Sequence, residues 1–242
     1  AVKPYSDAFE SVLKSWLARV NYSYKGKYNF TLSARADGSS RFGSESLWGY
    51  FPSAGFSWNI TDEEFANNIK GVTEAKLRLT AGTTGNQEIG NYLALAQMGS
   101  VNYSFGGTLY TGLAPTRLAN PDLKWEDTHQ WEIGGSGSFF QNKLSGELRF
   151  FTSRSSDFIN LMRAYDWDYT DWNSYYPFTY QNFGEIRNRG SEWVIGLNAV
   201  KIGNVFYQSS INATFIKSEW KDLDAEFTSL EGSDMGETRV PG

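Results

Sequence analysis

Apolar and polar residues alternate one for one through long stretches of this chain. Tyr28, Phe30, Leu32 and Ala34 interleave with Asn29, Thr31, Ser33 and Arg35, and Ala54, Phe56, Trp58 and Ile60 interleave with Ser53, Gly55, Ser57 and Asn59. A strict period of two sends the two sets to opposite faces of a β-strand. The apolar set carries no charge over about ten residues, the length at which a tilted strand crosses a bilayer. The opposing set is small and hydrophilic. Such a strand suits a sheet with hydrocarbon on one side and a wet interior on the other.

The same pattern predicts strands along most of the chain. Trp16, Ala18, Val20, Tyr22 and Tyr24 form the apolar face of the first, residues 27–36 and 50–60 the second and third, and Leu77, Leu79 and Ala81 mark the fourth. Residues 125–140, with Trp131, Ile133 and Phe139, predict a fifth, and Leu144, Leu148 and Phe150 a sixth. Trp193, Ile195, Leu197 and Ala199 belong to a seventh, and Val205, Tyr207, Ile211, Ala213 and Phe215 to an eighth. Lys25–Lys27, Gln141–Lys143 and Lys201–Asn204 are short connections with turn-forming Gly or Asn. Thr61-Asp62-Glu63-Glu64 reads as a capping box opening a short helix to Ile69, with Thr61 as N-cap. The intervening connections are long: the charged loop 37–46, residues 83–124 with an extra hairpin around 93–103, and residues 157–188. Short turns at one end and long loops at the other are the layout of a bacterial outer-membrane barrel. The expected fold is all-β: an antiparallel transmembrane β-barrel segment of eight strands, with short periplasmic turns, long extracellular loops and one short periplasmic helix.

Four motifs punctuate this pattern. The first is Arg35-Ala36-Asp37-Gly38-Ser39-Ser40-Arg41-Phe42-Gly43, followed by Gly49-Tyr50-Phe51-Pro52-Ser53 and Trp58. The second is Leu77-Arg78-Leu79 with Gly82-Thr83-Thr84-Gly85-Asn86-Gln87-Glu88-Ile89-Gly90 and Tyr92. Asn120-Pro121-Asp122-Leu123-Lys124-Trp125-Glu126 is the third. The last is Asn182-Phe183-Gly184-Glu185-Ile186-Arg187-Asn188-Arg189-Gly190 with Glu192. In this order, over residues 10–217, they resemble the SusC/RagA-like family of TonB-dependent outer-membrane transporters. The resemblance implies uptake of oligosaccharides or peptides, energised through the TonB complex, with a SusD-like lipoprotein over the extracellular mouth. It also implies that residues 1–242 are one part of a larger barrel, whose plug domain and remaining strands lie elsewhere.

Composition narrows the alternatives. Aromatic residues make up 17% of the chain, as 9 Trp, 14 Tyr and 17 Phe. They suit the two interfacial girdles of a membrane barrel, although aromatics favour strands anywhere. The net charge of -5 and the lack of a Lys/Arg run argue against nucleic acid. With no cysteine there is neither a disulfide nor a thiolate metal site. No stretch of about eighteen apolar residues offers a transmembrane helix. Residues 1–9 lack signal-peptide character, so a leader for export is expected upstream.

Candidate chemistry is sparse. His129, the single histidine, lies beside Asp127 and Trp131 with no nucleophile motif, and reads as a strand-rim residue rather than a catalytic base. No enzyme, cofactor or metal is expected. Asp166, Asp168 and Asp171 could supply oxygen ligands to calcium but lack the spacing of a known loop, and read as solvated carboxylates. In the same loop Trp167, Trp172, Tyr175 and Tyr176 are the candidate substrate-contacting residues, since aromatic faces backed by Asp and Asn suit glycans or peptides. Self-packing of the loop or contact with a partner protein would explain them equally well. The stretch 37–41 reads as a turn held by Asp37 and reinforced by Arg35 and Arg41. Two other readings stay open: a soluble carbohydrate-binding β-sandwich, whose apolar faces would be buried, and a structural or adhesive outer-membrane barrel.

Overall fold

The computed structural model describes residues 8–163 and 178–221. Its strands are β1 (Leu13–Tyr24), β2 (Tyr28–Ser39), β3 (Trp48–Asn59), β4 (Val72–Asn86), β5 (Gln97–Phe105), β6 (Thr108–Arg117), β7 (Glu126–Phe139), β8 (Leu144–Ser156), β9 (Ile159–Arg163), β10 (Phe178–Asn182), β11 (Glu185–Ile202) and β12 (Val205–Lys221). Eight of them form one sheet in the order β1-β2-β3-β4-β7-β8-β11-β12, and the other four a smaller sheet, β5-β6-β10-β9. Every neighbouring pair in the large sheet is antiparallel. The eight expected strands are these eight.

The register carries the alternation across the sheet in rows. One row runs Tyr22, Phe30, Phe56, Leu79, Ile133, Phe150, Ser191, Phe215. The next, one step nearer the short turns, runs Tyr24, Tyr28, Trp58, Leu77, Gly135, Leu148, Trp193, Ala213. Among the described residues no protein layer covers this face: Phe30 is 43% exposed, Ile195 52% and Ile211 71%. A sandwich would bury these side chains beneath a second sheet; here they are left for lipid. Between them, on the opposite face, lie Ser23, Asn29, Ser57, Arg78, Arg149, Glu192 and Thr214.

At the periplasmic end Lys25 (φ 53°), Gly26 (φ 70°) and Lys27 connect paired Tyr24 and Tyr28, and Lys25 and Gly26 are the central residues of a turn in which Lys27 N–H donates to the Tyr24 carbonyl at 3.1 Å. Both central residues at positive φ match the right-handed twist of the flanking strands.

Three expectations change. The segment after β3 is two short 3₁₀ turns, Ile60–Asp62 and Glu64–Asn68, rather than a capped helix. Thr61 falls inside the first turn and makes no capping hydrogen bond, because Glu63 is turned back onto the β1–β2 hairpin and β3. The extra hairpin lies later than residues 93–103: β5 and β6 meet at Gly106-Gly107, both at positive φ. Finally, residues 157–188 are not a plain loop. They include β9 and β10, and β11 begins at Glu185.

Candidate functional site: the inner wall and its extracellular knot

The face opposite the apolar rows is largely hydrogen-bonded and polar from β1 to β8, with Phe151, Val194, Ile216 and Trp220 interrupting it on the β8–β11–β12 side. Thr31 donates to Asn21 Oδ1 at 2.9 Å, Ser33 and Ser53 hydroxyls meet at 2.6 Å, and Asn188 donates to Ser153 at 3.3 Å. In its middle a charged chain crosses three strands. Arg78 reaches Glu147 Oε1 at 3.2 Å, Arg149 reaches the same oxygen at 2.9 Å, and Arg149 lies 3.6 Å from Glu192. Gly134, opposite Arg149, leaves room for the guanidinium stem: a Cβ there would come within 3.3 Å of it. These groups are half-exposed, so each pair adds at most about 1 kcal/mol. Their effect is a hydrophilic, charge-balanced patch in the middle of this face.

At the long-loop end the motif residues gather into one knot. Phe42, Phe51 and Trp125 are buried against one another, with Ile89 and Ile159 beside them. The Phe42 and Trp125 rings stand 4.6 Å apart, and Phe51 meets Trp125 edge-on at 5.4 Å. Close backbone approach requires glycine here, since a Cβ on Gly43 would sit 1.9 Å from the Pro121 carbonyl oxygen. Trp125 Nε1 donates to the Leu47 carbonyl, and Gly43 N–H to the carbonyl of fully buried Leu123. Arg41 donates to the Gln87 carbonyl at 2.8 Å and to Asn91 Oδ1 at 3.0 Å. Asn86 donates to Glu126, whose other oxygen accepts the Ile159 amide. Asn182 closes the fourth side by exchanging hydrogen bonds with the Lys124 backbone.

The remaining motif residues have structural positions too. Arg35 pairs with buried Asp37 at 2.6 Å and stacks over Phe51. Asp37, Gly38 and Ser39 are the last residues of β2 rather than a turn, with Asp37 opposite Gly49 and Gly38 opposite Trp48. Arg41 does not join Arg35 and Asp37; it braces the 87–91 segment instead. Ser40 exchanges hydrogen bonds with Val12. Pro52 faces Ala34 just past the last β3–β4 pair, Ser53 with Gly82, where β3 has a single neighbour. A Cβ on Gly85 or Gly190 would strike the Phe51 or Phe151 ring, at 2.1 and 2.5 Å. Trp58 donates to Glu63. Trp167, Trp172, Tyr175 and Tyr176, with the Asp166–Asp171 group, lie outside the described residues. His129 Nδ1 lies 2.9 Å from the Thr83 hydroxyl on the outer face.

Glu63, which the sequence places in the first turn of a capped helix, instead anchors the periplasmic connection. Its carboxylate accepts from Tyr28 Oη (2.5 Å), Lys27 Nζ (2.9 Å) and Trp58 Nε1 (3.2 Å), tying the polar tips of the periplasmic aromatics to the β3–β4 connection. The hydrogen bond from Tyr28, then that from Lys27, holds the Glu63 pKa down at about 2, from an ordinary 4.5. A depressed folded pKa means this clamp is complete above about 4.5 and is lost as pH falls toward 2. Amide protection of residues 60–69, corrected for intrinsic exchange, is therefore expected to fall between about pH 5 and about pH 3. In Glu63→Gln it is expected to be lower at the start and flat across that range. Equal pH dependence in the two proteins would show that the clamp does not anchor this connection.

An antiparallel sheet with an apolar face uncovered among the described residues, a mainly hydrophilic inner wall, short turns at one end and built loops at the other defines a segment of a transmembrane β-barrel. The family model described as TonB dependent receptor-like, beta-barrel, matches residues 3–242, and the chain belongs to that family of outer-membrane proteins. TonB-dependent receptor P3 of Formosa agariphila is 31% identical over all of this chain, which covers 23% of that protein. TonB-dependent receptor SusC of Bacteroides thetaiotaomicron is 32% identical over 94% of the chain and 22% of its own length. Among solved structures, the RagAB peptide importer in its open-open state superposes with a TM-score of 0.75 at 28% identity, over 88% of this chain and 22% of that one. The siderophore receptor PirA of Acinetobacter baumannii, at 15% identity and a TM-score of 0.52, shares the fold. The chain thus spans somewhat under a quarter of the length of these curated relatives. The SusC- and RagA-like resemblance read from the motifs holds in both sequence and structure.

Proposed function

We propose that this chain forms one wall of a TonB-dependent nutrient importer, along which oligosaccharides or peptides pass to the periplasm. The observation that carries this reading is the division of the large sheet into an apolar face uncovered among the described residues and an inner wall made mainly of Ser, Thr, Asn and paired charges. A purely adhesive barrel has no need of a hydrated, charge-balanced lining. Oligosaccharides and peptides match its mixture of donors and acceptors. The likeness to the RagAB peptide importer supports peptides as one of these solute classes. A SusD-like lipoprotein is the proposed cover. The β5–β6 hairpin offers it Tyr103, Phe105, Leu109 and Leu113, all more than half exposed. Energy coupling would enter through TonB and a plug domain outside residues 1–242. Trp167, Trp172, Tyr175 and Tyr176 remain the proposed solute contacts.

The test is uptake of fluorescent oligosaccharides and oligopeptides by cells with this receptor present, deleted, or present without TonB. One class should accumulate only when receptor and TonB are both there. Accumulation of neither class, or undiminished accumulation without TonB, would refute the assignment.

A further inference from the structure

The apolar face does not end in neutral residues on its β8–β11–β12 side. Directly above the row Phe150–Ser191–Phe215 comes Thr152–Arg189–Lys217, then Arg154–Arg187–Glu219, then Ser156–Glu185–Lys221. Residues two apart on a strand share a face, so all of these stand on the lipid-facing side, away from the inner wall. Each row is one step of alternation, about 7 Å, further toward the extracellular end.

Charge is unevenly spread among these rows. Glu185 is buried between Arg154 (2.6 Å) and Arg187, and Glu219 takes Lys217 (2.6 Å) and Lys221 (3.4 Å). Asp127 on β7 stands opposite Ser156 on the same face. Five cations therefore meet three carboxylates. The row nearest the hydrocarbon holds two cations and no acid, and Arg189 is exposed with no acidic partner within 4 Å among the described residues. The Lys217 side chain is 78% exposed despite its contact with Glu219. At the same level on β7 stands Trp131, 65% exposed, an aromatic of the kind that marks the membrane interface.

Cations at this depth meet headgroups. We propose that the Arg189–Lys217 row, backed by Arg154 and Arg187, binds the phosphate groups of outer-leaflet lipids, while Phe150, Phe215 and Trp193 lie along their acyl chains. A guanidinium and an ammonium side by side on adjacent strands suit a phosphate: the first as a fork of donors, the second as a point charge. The position favours a lipid over a soluble anion, because the apolar row begins one step below. This role is independent of which solute the inner wall carries. It gives the barrel a fixed rotational anchor in the leaflet.

The test is native mass spectrometry of the receptor purified in detergent and titrated with a diphosphorylated glycolipid or its dephosphorylated counterpart. Arg189→Gln with Lys217→Gln should weaken binding of the phosphorylated lipid roughly twenty-five-fold, about fivefold for each cation, as expected for basic residues at an anionic membrane surface. The dephosphorylated lipid should bind the unaltered protein as weakly as the phosphorylated one binds the double variant. Lys70→Gln, which removes one such charge in the periplasmic connection, should leave binding unchanged rather than weaken it about fivefold, and Arg189→Lys with Lys217→Arg should retain it. Excess inorganic phosphate should not displace the lipid. The proposal fails if the double variant binds as tightly as the unaltered protein, if both lipids bind the unaltered protein alike, or if inorganic phosphate displaces the lipid and so reveals a site for a free anion. The comparison of the two lipids uses only the unaltered protein, so it decides even where the double variant does not assemble.

Discussion

Leu79→Arg is expected to destabilise the inserted barrel by about 2–4 kcal/mol, the range for a cation on the lipid face near mid-bilayer. Leu79 sits in the middle of the row from Tyr22 to Phe150, flanked by Phe56 and Ile133, with none of the described residues over it. A guanidinium there has only hydrocarbon to meet. The residue after it gives an internal control. Thr80 points to the inner wall opposite Glu132, so Thr80→Arg gains a cross-strand partner and water. Its effect is expected to stay within about 0.5 kcal/mol, the ordinary range for surface substitutions. Denaturation from lipid vesicles, with the folded fraction followed by gel mobility, reads both. Similar losses at the two positions would mean that the faces are not lipid and water, and the membrane reading would go with them.

The contrast between positions 79 and 80 explains why the large sheet was legible in the sequence. Lipid on one side and water on the other impose alternation on every strand that separates them, and the eight long strands follow it, with exceptions on the inner side such as Ile216 and Trp220 of β12. The smaller sheet is under no such constraint. Five-residue β9 and β10 are too short for a pattern to emerge. β5 does alternate at Val101, Tyr103 and Phe105, but its hairpin is set by Gly106-Gly107, a turn signal that the reading passed over in favour of the preceding segment. The same competition decided Thr61. Its spacing to Glu64 fits a capping box, yet three donors from the β1–β2 turn, β2 and β3 claim neighbouring Glu63, and the connection folds as 3₁₀ turns around that contact.

The extracellular knot was legible in its parts and not in its assembly. Asp37 and Ser39 looked like turn residues because they are polar and follow a strand. They are buried strand residues, Asp37 held by Arg35 and Ser39 by the Leu47 carbonyl. Nothing local in the chain shows that Phe42, Phe51 and Trp125 converge. What the sequence displays is the footprint of that convergence: glycines where rings or backbone press close, and Asn, Arg and Glu where loops are laced together. The motifs that identify the family are, in this chain, mostly the parts of one folding unit.

Trp125→Ala is expected to lower the stability of that unit by about 3–5 kcal/mol, as for other large aromatics removed from a packed core. The indole fills the space between Phe42 and Phe51, so its loss leaves a cavity bordered by both rings. Gly85→Ala attacks the same place from the other side, because its Cβ would overlap the Phe51 ring at 2.1 Å. Overpacking of this kind typically costs about 1–3 kcal/mol. If the clash is with that ring alone, Phe51→Ala should suppress the effect of Gly85→Ala, and the double variant should be no worse than Phe51→Ala by itself. The knot lies beyond the lipid-facing rows, so loop stability and membrane insertion should separate. Proteolysis of intact cells should cut the segments 40–47 and 87–96 faster in Trp125→Ala and in Gly85→Ala, while the amount of heat-modifiable barrel in the outer membrane changes little. A parallel loss of inserted barrel would mean instead that the knot directs assembly of β2, β3, β4 and β7. Its glycines and aromatics would then be as necessary to crossing the membrane as the apolar rows themselves.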